Sequence, residues 1–114
     1  MAFAGPAGWG DAITGMAAPF VAYALHRRLP GAVLAAWAWN IFGLGDLINV
    51  ALLAAQTTPG TSAYDPAMGD NANFSLFPTG LLQFMYAPVF ILLHLFSIRA
   101  LRRGMFRRTE AIAA

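Results

Sequence analysis

Three apolar stretches, roughly residues 8–25, 31–55 and 76–98, leave little of this 114-residue chain for anything else. Each is close to the ~20 residues that a helix needs to cross a hydrocarbon core of ~30 Å. Lipid offers no partner to a backbone N–H or C=O, so segments of this kind must close their own hydrogen bonds as helices. Hydrophobic residues make up 59% of the chain and charged ones 11%, against ~25% charged in an average soluble domain. Too little polar surface remains to coat a soluble particle. Cysteine is absent, which excludes a disulfide framework, thiol chemistry and a thiolate metal site.

The pI near 9.7 reads as a topology signal and not as a nucleic-acid signal. All seven basic residues are arginines. Arg27 and Arg28 follow the first apolar run, and Arg99, Arg102, Arg103, Arg107 and Arg108 follow the third. The connection over residues 56–75 has no Lys or Arg and contains Asp65 and Asp70. The positive-inside rule then gives an amino terminus outside, a tight inner turn at Leu29-Pro30-Gly31, an outer loop and a cytoplasmic carboxyl terminus. The expected fold is all-α: a three-helix transmembrane bundle in a single unit, with helices at about 8–26, 31–55 and 76–98, an outer loop at 56–75 and a basic cytoplasmic tail at 99–114. A bacterial inner (cytoplasmic) membrane fits this arrangement. The amino-terminal residues lack the basic region of a cleavable signal peptide, and the positive charges follow the first apolar run, so that run reads as a retained anchor.

Punctuation along the chain agrees. Pro59, Gly60, Pro66 and Gly69 give the outer loop turn formers and no helical period. Pro19 and Pro88 fall inside helices one and three, where each withholds a backbone donor and is expected to bend its helix. Gly8-Trp9-Gly10-Asp11-Ala12-Ile13 is echoed 35 residues later by Gly43-Leu44-Gly45-Asp46-Leu47-Ile48. The two helices run in opposite directions, so this is no translational repeat.

An aspartate deep in a membrane helix costs roughly 2.5–3.5 kcal/mol and demands a partner. Asp11, Asp46 and Gln83 each lie fifteen residues from the inner end of their helix, at His26, Gly31 and Ile98. At 1.5 Å per residue they share one level, about 22 Å above the inner boundary. Asp11, Gly15, Ala18 and Ala22 form one stripe. Trp39, Gly43 and Asp46 form a second, with Asn49 a turn further out, and Gly80, Gln83, Ala87 and His94 form a third. Small residues beside polar ones permit close helix contact in lipid, so the stripes are expected to face one another and build a polar layer of Asp11, Asp46, Asn49 and Gln83. The layer serves as cross-helix hydrogen-bonding glue or as a proton or ion path. Gly43-Leu44-Gly45-Asp46 also resembles the Gly-x-Gly-Asp motif of intramembrane aspartyl proteases, which implies Asp11 as the second carboxylate. The Tyr-Asp partner motif of that family is missing, and its fold has more helices than this chain supplies.

His26 and His94 sit toward the inner ends of helices one and three. They are candidate ligands to a haem or chlorophyll. The plainer roles are an interfacial imidazole beside Arg27 and a buried one bonded to a neighbouring helix. No metal site and no catalytic residues are expected. The arginines at 99, 102, 103, 107 and 108 suit anionic lipid headgroups, at about 1 kcal/mol each.

Pro6-Ala-Gly-Trp-Gly-Asp11, Trp39-Asn-Ile-Phe-Gly-Leu-Gly-Asp-Leu47 and Pro88-Val-Phe-Ile-Leu-Leu-His-Leu95 together resemble the carboxyl-terminal part of a group of small, uncharacterised bacterial multi-pass membrane proteins. The resemblance spans most of the chain and implies no activity. Members carry further helices ahead of the Pro-Ala-Gly segment, which implies that something else covers the faces those helices occupy. The resulting expectation is a non-catalytic accessory subunit. It would pack against other membrane-protein subunits of a respiratory, photosynthetic or transport complex, touch anionic lipids and bind no nucleic acid. The alternative is a homo-oligomeric proton or ion transporter, or a small intramembrane enzyme, that uses Asp11 and Asp46.

Overall fold

A computed structural model describes the chain over residues 4–72 and 76–104, without the side chains of Ala4, Pro6, Ala7, Thr79, Leu82 and Gln83. The described residues form helices and turns, with no strand among them. Helix α1 spans Ala4–His26 and α2 spans Ala32–Thr57. A short 3-10 turn, Pro66–Met68, lies in the connection that follows. The third helix, α3, is composite: an α turn at Thr79–Leu81, a π turn at Leu82–Tyr86 and an α segment at Ala87–Arg102. The molecule is a rod of 59 × 23 × 21 Å.

Two of the helices, Ala32–Thr57 and Phe84–Arg102, are long and apolar enough to cross a membrane. Helix α1 has the length, 23 residues, but Asp11 and four glycines lower its hydropathy below that of the other two. Three equivalent spans were expected from the sequence, and α1 is the weaker of them for this reason.

The α1–α2 connection falls where expected. Arg27 N–H bonds Tyr23 O at 2.9 Å and Leu29 N–H bonds Ala24 O at 3.0 Å, closing the end of α1. The chain then reverses through two residues with positive φ, Arg28 at 54° and Gly31 at 78°. The second is left-handed geometry that glycine adopts without steric cost.

The third helix differs from expectation at both ends. Instead of residues 76–98 it covers 79–102. Pro78 disfavours helical geometry in the residue before it, which holds the start back to Thr79. At the other end Arg99 and Arg102 lie in the final turn, where cations complement the carbonyl end of the helix dipole. The basic tail therefore begins inside the helix. Pro88 lacks the N–H that Phe84 O would receive, and the wider π turn ends two residues before it, at Tyr86.

The connection after α2 is more organised than its turn formers suggested. Thr57 Oγ1 donates to Leu53 O at 2.7 Å and Thr58 Oγ1 to Ala54 O at 2.6 Å, while Thr61 Oγ1 donates to Ala55 O. Asp65 N–H bonds Gln56 O at 2.8 Å, and Asn71 N–H bonds Thr57 O at 3.0 Å. The carbonyls that a helix end leaves without partners are thus met by threonine hydroxyls and by returning backbone. Asp65 and Asp70 each accept a backbone N–H two residues on, from Ala67 and Ala72. The connection folds back onto the end of α2.

Helix α2 is the central element, packing against α1 on one side and the α segment of α3 on the other. Its buried positions are Ala32, Ala36, Asn40, Gly43 and Thr57, and the first four follow a spacing of four, four and three residues, one helical face. The apolar core of the described residues consists of Ala32, Ala36 and Leu101. Large side chains point outward instead: Phe20, Leu34 and Phe84 are each 75% exposed.

Candidate functional site

Two polar clusters lie along the seam of α2. The first surrounds Asn40, which is fully buried. Its amide nitrogen donates to Ala36 O at 2.8 Å and to Ser97 Oγ at 2.9 Å. Both amide protons are thereby used, so the side-chain oxygen is an acceptor, and it lies 3.0 Å from His94 Nδ1. That contact requires His94 to carry its proton on Nδ1. In the neutral ring Nε2 is then the bare nitrogen. The imidazole is 4% exposed and packs against the Trp39 indole, with ring centroids 4.6 Å apart at 41°. Gly43 makes this possible: a methyl group there would run into His94 Cε1 and Nε2.

The second cluster is a cleft of about 410 Å³, one to two turns nearer the connection that follows α2. Helix α1 contributes Asp11, Thr14, Gly15 and Ala18; α2 contributes Trp39, Gly43, Asp46 and Leu47; α3 contributes Phe90, Leu93 and His94. The two carboxyl groups face each other closely enough for a side-chain hydrogen bond. Their approach depends on Gly10, since a Cβ there would collide with the Asp46 carboxyl. Helix α1 is fixed at this level by Trp39, whose indole N–H donates to Thr14 O at 2.9 Å. Asp11 is exposed and Asp46 half-buried, and two like charges side by side repel, which a proton or a cation between them would relieve.

Acceptors outnumber donors in this cleft. The Trp39 N–H is already committed. Thr14 Oγ1 is buried and has no hydrogen-bond partner. Pro19 has no N–H for the carbonyl of Gly15, four residues back in α1.

The expected stripes converge in part. Asp11, Gly15 and Ala18 line the cleft, as do Trp39, Gly43 and Asp46, and His94 represents the third stripe. Asn49 is exposed and is not part of the lining. The side chain of Gln83 lies outside the described residues. Of the two histidines, His94 is buried and bonded to Asn40 of α2, while His26 is exposed in the last turn of α1. Arg99, Arg102 and Arg103 are exposed, and Arg107 and Arg108 lie outside the described residues. Sequence reasoning missed Asn40, Ser97 and Thr14. The signal was available for Asn40: it sits between Ala36 and Gly43 on the small-residue face of α2, at i+4 and i−3, as a polar residue at a close-contact position does.

Among the described residues no group of three or more His, Cys, Asp or Glu side chains is placed to hold a metal ion. Comparison with curated proteins and with solved structures gives no match. Residues 1–102 do match a family described as a domain of unknown function, which agrees with a resemblance that carries no activity. This helical chain, with its Asn40 cluster and its carboxyl-lined cleft, belongs to the DUF8737 family.

Proposed function

We propose that the chain is an integral membrane accessory subunit, without catalysis of its own, that packs into a larger complex in a bacterial cytoplasmic membrane. One observation carries this reading. Among the described residues the apolar core is limited to Ala32, Ala36 and Leu101, while large apolar side chains cover the outside of all three helices. Water does not tolerate such a surface, and lipid and neighbouring helices do. The three helices then cross the membrane with the amino terminus outside. The turn at Arg27 and Arg28 and the end of α3 at Arg99, Arg102 and Arg103 lie together on the cytoplasmic side against anionic headgroups.

Two measurements test the reading. Reporters placed near Gly60 and after Ala114 should read exterior and cytoplasmic, and the reverse at either site overturns the topology. In mild detergent extracts of native membranes the chain should migrate with a far larger assembly of other subunits. Migration as a free small bundle would leave no complex for it to serve.

The facing of Asp11 and Asp46 favours a second reading, a homo-oligomeric proton or ion transporter or a small enzyme built on that pair. Activity of the isolated protein in liposomes, lost in both Asp11→Asn and Asp46→Asn, would establish it in place of the first.

A further inference from the structure

We infer that the cleft between the three helices is a binding site for a small organic monocation, an ammonium carrying several N–H donors on an apolar, preferably aromatic, body. Three independent features point to this chemistry.

The first is the imbalance of polar groups. The cleft presents the Asp11 and Asp46 carboxyl oxygens and the buried, unpartnered Thr14 hydroxyl, while its indole donor is already bound to Thr14 O. The hydroxyl can give or accept, but a ligand that bridges the carboxyl oxygens must bring donors. The second is charge. The described arginines cluster at the opposite end of the helices, and no cationic side chain reaches the carboxyl pair among the described residues. With one proton shared between them the pair carries a single negative charge, which one positive charge compensates. The third is the wall. Trp39, Phe90, Leu47 and Leu93 make most of the lining apolar, and a volume of about 410 Å³ falls in the range of small-ligand sites. Aromatic faces beside a carboxylate favour a cation over a neutral body of the same shape. A metal ion fits less well, since no third ligand of the usual kind joins the two aspartates among the described residues.

On the α3 wall of the cleft Phe90 is 45% and Leu93 is 55% exposed. A lipophilic amine therefore reaches it from the side of the bundle. The site stands whether or not the chain works inside a larger assembly.

The test uses the full chain in nanodiscs of zwitterionic lipid, with empty nanodiscs as the blank. Three probes of similar shape are compared by equilibrium dialysis: 2-phenylethylammonium, its N,N,N-trimethyl derivative and uncharged 3-phenyl-1-propanol. The primary ammonium should bind saturably, one per chain, at least tenfold more tightly than either of the others. Asp46→Asn and Asp11→Asn should each weaken it at least tenfold, whereas Arg103→Ala should leave it unchanged. Saturable binding absent above the blank, equal binding of the ammonium and the alcohol, or undiminished binding in both aspartate variants overturns the proposal. Equal binding of the trimethyl probe overturns it as well, because that cation has no N–H to give. The probe comparison on the unaltered chain decides the matter even if an aspartate variant fails to fold.

Discussion

The two halves of the bundle solve opposite problems with the same central helix. Toward the arginine end, α2 meets α3 through Ala36, Asn40 and Gly43, and every polar atom of Asn40 is matched by a neighbour. Toward the connection that follows α2, that helix meets α1 through Asp46 and Gly10, and the polar atoms there face a cleft with a surplus of acceptors. One half is closed and saturated; the other is open and unsaturated. Saturation is what a holding contact needs, because a buried polar group without a partner costs ~1–3 kcal/mol. A surplus is what a binding site needs, because the missing partner is the ligand. The contrast separates structural from functional polar residues within one short seam.

The largest test of this contrast is Asn40→Ala. It leaves the His94 N–H without its acceptor and Ser97 without its donor in a buried setting, and should cost about 2–3 kcal/mol. Unfolding in mixed detergent micelles measures the loss, and stability equal to the parent would mean that the closed half is not closed. Gly43→Ala comes next. Its methyl meets the His94 ring, which is held on both sides, so about 1–2 kcal/mol of overpacking is expected. Gly10→Ala is the matched control in the open half. There the obstacle is the end of the Asp46 side chain, which can swing aside. A cost as large as that of Gly43→Ala would erase the distinction.

Asp46→Leu and Asp46→Asn sharpen the comparison further. Asn still hydrogen-bonds to Asp11 and Leu does not, so Leu should lower the folded yield more, by about 1 kcal/mol in equivalent stability. Equal, parental yields for both would show that the carboxyl pair contributes nothing to folding. The smallest effect has the opposite sign. A methyl group at Gly15 or Gly45 meets nothing within 4 Å, so alanine at either position should stabilise its helix by about 0.5–1 kcal/mol. Destabilisation there would mean that another chain or molecule already occupies that space.

How far the sequence foretold this contrast differs between the halves. The open half was legible because aspartates in apolar helices are rare and expensive, and equal distances from the helix ends put Asp11 and Asp46 at one level. The closed half was not, because a single asparagine in α2 does not say which neighbouring helix it addresses. His94 was noticed as a candidate ligand, yet its bond to Asn40 depends on the rotation of α3 about its axis. The π turn before Pro88 alters that rotation in a way no regular helical period predicts. The connection after α2 was read as turns alone. Its threonines were unremarkable until the helix end supplied carbonyls for them to bond.

Asn40 has a consequence for how this seam can evolve. Its side chain serves as two donors and one acceptor at a single length. Aspartate lacks the donors, serine and threonine have one proton each, and glutamine is a methylene too long for a site with no spare volume. No single replacement preserves all three bonds. Among related chains positions 40, 94 and 97 should therefore stay fixed together or change together, drifting as one unit while the cleft-lining positions diversify independently with whatever each chain binds.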